Sequence, residues 1–159
     1  MQTTHNTLSE NIRTQAAEIL NRHVAAAIDL HAQLKQAHWN VRGPTFIAVH
    51  ELFDKVAGEA ESYSDLLAER AAGLGAVAEG TVQVAAERSF LVPYPLRIAD
   101  EIEHIFAVAA TLAAFGQSAP EGIAQSATIG DADTADLFTE ISRGVDHQLW
   151  LVESHAVPK

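Results

Sequence analysis

Four residues able to bind a metal, His50, Asp54, Asp65 and Glu69, form two i, i+4 pairs on one stretch of helical periodicity. An α-helix turns about 100° per residue, so with His50 at zero Asp54 falls at about 40°, Asp65 at about 60° and Glu69 at about 100°. All four share one arc. Asp65 follows Asp54 by eleven residues, a rise of about 16.5 Å, which no single ion spans. One helix therefore carries two half-sites. A second copy of the helix, antiparallel across a two-fold axis near residues 58 to 60, would set Asp65 and Glu69 of one chain beside His50 and Asp54 of the other. Gly58 would permit the close approach.

The opposite face of this helix supports that arrangement. Val49, Leu52, Phe53, Val56, Ala60, Tyr63, Leu66 and Leu67 form an apolar stripe expected to pack into the chain's own core. Small or apolar residues (Ile47, Ala57, Gly58, Ala68 and Ala72) flank the ligand arc, as at an interface rather than on a solvated face. His38, near the end of the preceding helix, is placed to add a second imidazole. Imidazole with several carboxylates suits iron(II) or its divalent competitors, not copper(I) or a thiolate zinc site. Taken singly, each residue has a plainer reading. A helix-end histidine is usually structural, and Asp54, Asp65 and Glu69 could be surface acids paired with Lys55 and Arg70. The shared arc argues against both.

Glu101 and His104 have the spacing of a bundle-core di-iron motif, but that architecture needs two such motifs and further inward glutamates. No second Glu-x-x-His occurs. Ile98, Ile102, Ile105 and Ala109 form the inward stripe there, so the Glu101/His104 pair is expected on the surface. His5, His23, His31, His147 and His155 show no paired spacing. Asp131, Asp133, Asp136 and Glu140 crowd the start of the last helix. Carboxylates there favour the helix macrodipole; they could equally line an acidic pore that draws in cations.

The elements that must position these groups are helical, with no alternating strand pattern of useful length. A first helix is expected from about Ser9 to about Val41, broken by Arg42-Gly43-Pro44. Thr45 can cap the second, which runs to about Gly73. A stretch from Gly75 to Pro95 holds a short helix around Thr81 to Arg88 and is long enough to run the length of a bundle. A third helix starts near Leu96 and continues, kinked at Pro120, to Ile123. A fourth runs from near Asp131 to about His155. Four long helices with one long crossover make an all-α, ferritin-like bundle.

The chain has 159 residues, 48% of them apolar, so one domain with a sizeable core is expected, with residues 1–8 as a flexible tail. Ten basic against 21 acidic residues leave a net charge of −11, a poor match for a phosphate backbone and a good one for cations. The chain has no Cys and no Met but the first residue, which leaves an oxidant few sulfur targets. No apolar run approaches membrane-spanning length. Met1 to Asn11 lack the makeup of a secretion signal, so a cytoplasmic location is expected.

Together, the segments Lys35 to Gly43, Phe46 to Asp54 and Asp65 to Arg70 closely resemble the Dps mini-ferritins. The likeness continues through Tyr94 to Leu96, Asp133 to Glu140, Leu149-Trp150 and Glu153-Ser154. The resemblance implies a hollow dodecamer with ferroxidase centres at its two-fold interfaces. Residues matching His38, His50 and Asp54 would come from one subunit, and those matching Asp65 and Glu69 from the other. Each centre would take two irons, or one tightly and one weakly, with Zn²⁺ as a competitor. Hydrogen peroxide, or more slowly oxygen, would oxidise Fe(II), and Fe(III) would be stored inside. Trp39 matches a tryptophan that supplies an electron and intercepts radicals. Asp131, Asp136 and Glu140 match acids lining three-fold pores through which iron passes.

The alternative within this resemblance is a nucleoid-associated protein that compacts DNA and binds iron incidentally. DNA-binding members commonly use a Lys/Arg-rich N-terminal tail. Here residues 1 to 12 contain neither, Arg13 is the first basic residue, and Lys159 is the only cation beyond the last helix. DNA binding is therefore expected to be weak.

Overall fold

A computed structural model describes residues 1–156; Lys159 lies outside them. The described residues form five helices: α1 (Glu10–Asn40), α2 (Phe46–Gly73), α3 (Val82–Arg88), α4 (Glu101–Ile129) and α5 (Ala132–Glu153). Two antiparallel hairpins, α1 with α2 and α4 with α5, pack together as a four-helix bundle, and the short α3 lies on α1 within the crossover. Among the described residues, no helix is long and apolar enough to cross a membrane.

The helix ends follow local chemistry. Ser9 caps α1 by accepting from the Ile12 amide, and Thr81 caps α3 by accepting from Val84. Gly130, at φ 89°, ends α4 in the left-handed conformation that costs glycine least. Pro120 lies inside α4, which passes through it. That helix begins at Glu101 and not near Leu96, because Asp100 caps it by accepting from the Ile102 amide at 2.9 Å. Ile98 is in phase with the helix but belongs to the crossover.

The core is one cluster. Phe53, Phe115 and Phe138 are fully buried with Leu20, Leu30, Leu34, Leu67 and Leu112, each contributing about 1.5–3 kcal/mol. On α2 the buried face is Val49, Phe53, Val56, Ala57, Ala60, Tyr63, Leu67 and Ala71. Two expectations at its edges are corrected. Ala57, at about 340° on the helix wheel, turns toward α1 and not toward the ligand arc; it is 1% exposed. Leu66, at about 160°, lies at the stripe's other margin and is 36% exposed.

At the N-terminus, the amide of Gln2 donates to the Gly75 carbonyl. Arg13 is buried, its guanidinium donating to the carbonyls of Leu8 and Leu74.

Candidate metal centre

The turn between α1 and α2 brings His38 and His50 face to face, their rings stacked 3.8 Å apart at 22°. Nδ1 of each lies 2.8 Å from the backbone carbonyl oxygen of the other. A carbonyl can only accept, so each Nδ1 carries the hydrogen, and in the neutral ring each Nε2 keeps its lone pair. Both imidazoles are thus held in the tautomer that binds a metal through Nε2, with the second-shell bond that orients such ligands already made.

The backbone explains why this exchange forms. The last carbonyls of a helix lack an intrahelical partner. The Arg42 amide donates to Ala99 instead of back to His38. The free His38 carbonyl then receives Nδ1–H of His50, which closes the end of α1.

Asp54 lies one turn along α2 from His50. Its Oδ1 is 3.9 Å from Nε2 of His38 and 2.5 Å from the ammonium of Lys35. That hydrogen bond, aided by the nearby positive charge, holds the Asp54 carboxyl below the usual carboxylate range. Asp54 is therefore ionised throughout the neutral range. The partner of Asp54 is thus Lys35 of α1 and not Lys55 or Arg70. Lys35 precedes His38 by one turn on α1, so in an antiparallel pair it faces the residue one turn beyond His50. Lys35 Nζ also lies 5.8 Å from the centroid of Trp39, whose side chain is 67% exposed beside the pair.

Asp65 and Glu69 are exposed further along α2. Arg70 does not pair with them. It donates to Asp131 at 2.7 Å and to Thr134 at 3.0 Å. One chain thus stacks His38 on His50 and sets Asp54 Oδ1 3.9 Å from Nε2 of His38, with Asp65 and Glu69 apart from them. Among the described residues, no group of three or more His, Cys, Asp or Glu side chains is gathered to hold a metal within one chain.

Of the acids at the start of α5, Asp131 is 1% exposed. It caps the helix by accepting from the Thr134 amide and hydroxyl, besides pairing with Arg70. Asp133, Asp136 and Glu140 face solvent.

Glu101 and His104 are not on the surface; they are 6% and 1% exposed. The helical wheel sees one helix alone, whereas the N-terminus of α4 abuts the α1–α2 turn and the crossover. His104 Nδ1 lies 2.7 Å from the Tyr94 hydroxyl. The Glu101 carboxylate accepts from the amide and hydroxyl of Thr45. Thr45 does stand at the N-cap of α2, but its side chain makes no capping bond to that helix. His31, for which sequence offered no role, joins α1 to α2, its Nδ1 2.9 Å from the Ala57 carbonyl oxygen.

Comparison with known proteins agrees with the fold. A ferritin-like domain family matches residues 17–157. A DNA protection during starvation protein from Agrobacterium fabrum is 38% identical over 98% of this chain and 96% of its own length. Another from Brevibacillus brevis is 28% identical over 92% of this chain and 98% of its own. Among solved structures, DpsC from Streptomyces coelicolor superposes with a TM-score of 0.93 at 29% identity, covering 99% of this chain and 92% of that one. Dps from Microbacterium arborescens in its high iron form has a TM-score of 0.86 at 33% identity, covering 96% and 97%. This chain belongs to the Dps family of ferritin-like proteins.

Proposed function

We propose that this protein oxidises and stores iron, acting as a ferroxidase in a dodecameric shell built from two-fold dimers. The observation that carries the reading is the stacked imidazole pair, each ring with its Nδ1 bonded to a carbonyl and its Nε2 free to accept, beside an ionised Asp54. Asp65 and Glu69 of the neighbouring chain complete the centre in this reading. Gly58 favours it, since a Cβ there would meet nothing in its own chain, leaving room for a second helix.

Fe(II) is the substrate. Two Fe(II) ions give one electron each to one hydrogen peroxide, which takes up two protons and leaves as two waters. Oxygen is the slower oxidant, and Zn²⁺ competes for the same donors. The protein's part is ligand placement: neutral rings and ionised carboxylates must be present together before iron binds. Trp39 stands beside the centre to donate an electron to a stray radical. Fe(III) passes to the interior and is stored there as mineral.

Anaerobic Fe(II) challenged with peroxide tests this reading, with oxidation followed optically and hydroxyl radical by spin trap. The protein should speed oxidation and suppress the radical, and His50→Ala should lose both effects. Wild-type oxidation no faster than in buffer would overturn it.

The names of the curated relatives favour a second reading, protection of DNA by direct binding. Net charge −11 and a tail without Lys or Arg up to residue 12 oppose it. Arg13, the first basic residue, spends its guanidinium on backbone carbonyls. Removing peroxide and Fe(II) protects DNA without touching it. A gel shift at low salt, with and without Mg²⁺, separates the two; salt-sensitive retardation without Mg²⁺ would support direct binding.

A further inference from the structure

We infer that Glu101 is a positioning residue for the metal centre, acting through the α1–α2 turn; this rests on the iron-binding reading above. Glu101 touches none of His38, His50 or Asp54 in the hydrogen bonds it makes. Its carboxylate accepts from the Thr45 amide at 3.1 Å and from the Thr45 hydroxyl at 2.5 Å. Thr45 ends the turn, and α2 begins at the next residue. The carboxylate thus sits at the N-terminus of α2 while belonging to the first turn of α4, where two helices present unpaired amides and positive dipole ends. It does for α2 what the glutamate of a capping box does, accepting from the N-cap amide, but from another helix.

The turn is held at its other end by the residue two before Glu101, through the Arg42 amide on the Ala99 carbonyl. Between these anchors lies Gly43. A Cβ on Gly43 would come within 2.5 Å of both Cβ and Oε2 of Glu101, so glycine here makes room for the glutamate. Two straps, at residues 42 and 45, therefore set the spacing between the end of α1 and the start of α2. That spacing is what lets His38 and His50 each reach the other's carbonyl. If the Thr45 strap loosens, the first turn of α2 can shift, the reciprocal bonds lengthen, and the two rings lose their set spacing.

The test compares Glu101→Gln, which keeps the shape but removes the charge, with Gly43→Ala, which displaces the carboxylate from the other side. Tyr94→Phe is the control, since it deletes a buried hydrogen bond at the same end of the bundle without touching the turn. Co(II) binding to the assembled protein is measured calorimetrically, and metal-free crystals report the separation of the two rings. Both test variants should weaken Co(II) about ten- to hundredfold, as for other groups that orient metal ligands, and open the stack beyond 3.8 Å. Tyr94→Phe should do neither, even at an equal loss of melting temperature. Wild-type affinity and an unchanged ring pair in Glu101→Gln would overturn the inference, as would equal weakening in Tyr94→Phe. If wild-type protein takes up no Co(II), the iron reading falls, and the ring geometry alone then decides whether Glu101 sets the pair.

Discussion

Lys35 holds its ammonium 2.5 Å from Oδ1 of Asp54, on the carboxylate proposed above as an iron ligand. A cation already occupies that position, so an incoming metal has to displace it. Lys35→Gln should therefore tighten divalent-metal binding by roughly two- to fivefold, the modest size expected of an exposed pair. Asp54 stays ionised at neutral pH without its partner, so the sign does not reverse. A Co(II) titration that finds weaker binding in the variant would mean Lys35 aligns Asp54 instead of competing for it.

The two-chain centre predicts complementation. Asp65→Ala/Glu69→Ala protein and His38→Ala/His50→Ala protein, dissociated together and reassembled, should recover about a quarter of the wild-type sites. In a mixed two-fold pair one site receives every intact ligand and the other keeps only Asp54. Mixed oligomers with no more activity than either parent would show that each chain builds its own centre.

Stability should fall in mild acid. His23 and His104 are buried, and burial lowers the pKa of each below 6.5. A folded-state pKa below the unfolded value means that the unfolded chain binds more protons as pH falls through about 6.5. The stabilisation is complete above that pH and is lost below it, until the folded-state values are passed. Each histidine contributes at most about 1.4 kcal/mol per pH unit in this window. The His23→Gln/His104→Gln variant should lose less melting temperature than wild type between pH 7 and pH 5. Equal losses would assign the acid sensitivity to other groups.

Asp136 and Glu140 are proposed to line the pore that admits iron. Asp131, grouped with them by resemblance, already holds Arg70 and the cap of α5. Asp136→Asn/Glu140→Gln should slow iron uptake roughly three- to tenfold at low ionic strength, with less salt dependence than wild type because a steering field is gone. Raising Fe(II) should restore the rate, since the ferroxidase ligands are intact. A variant that melts slightly earlier but takes up iron normally would leave these acids a role at the helix start alone.

Residues whose partners lie nearby on one helix were the legible ones. Ser9 and Thr81 announce helix starts by type, and His50 with Asp54 share a face by spacing alone. What escaped the sequence was contact between elements. Glu101 was assigned to the surface because the wheel of α4 cannot show that the α1–α2 turn covers its first residue. Lys35 was missed as the partner of Asp54 because the two sit on different helices. The start of α4 was placed too early because Ile98 keeps helical phase, whereas Asp100 carries the cap. The mutual carbonyl bonds of His38 and His50 depend on where the Arg42 amide points, which no periodicity records.

The acceptors in that exchange are backbone atoms, and this bears on how the centre could change over generations. A substitution at position 50 deletes one imidazole but leaves the carbonyl that orients His38, and the converse holds at position 38. Each ligand can therefore be replaced while the other keeps its tautomer. On the proposed function, a lineage could exchange its metal preference one donor at a time, without passing through a sequence in which both imidazoles are lost.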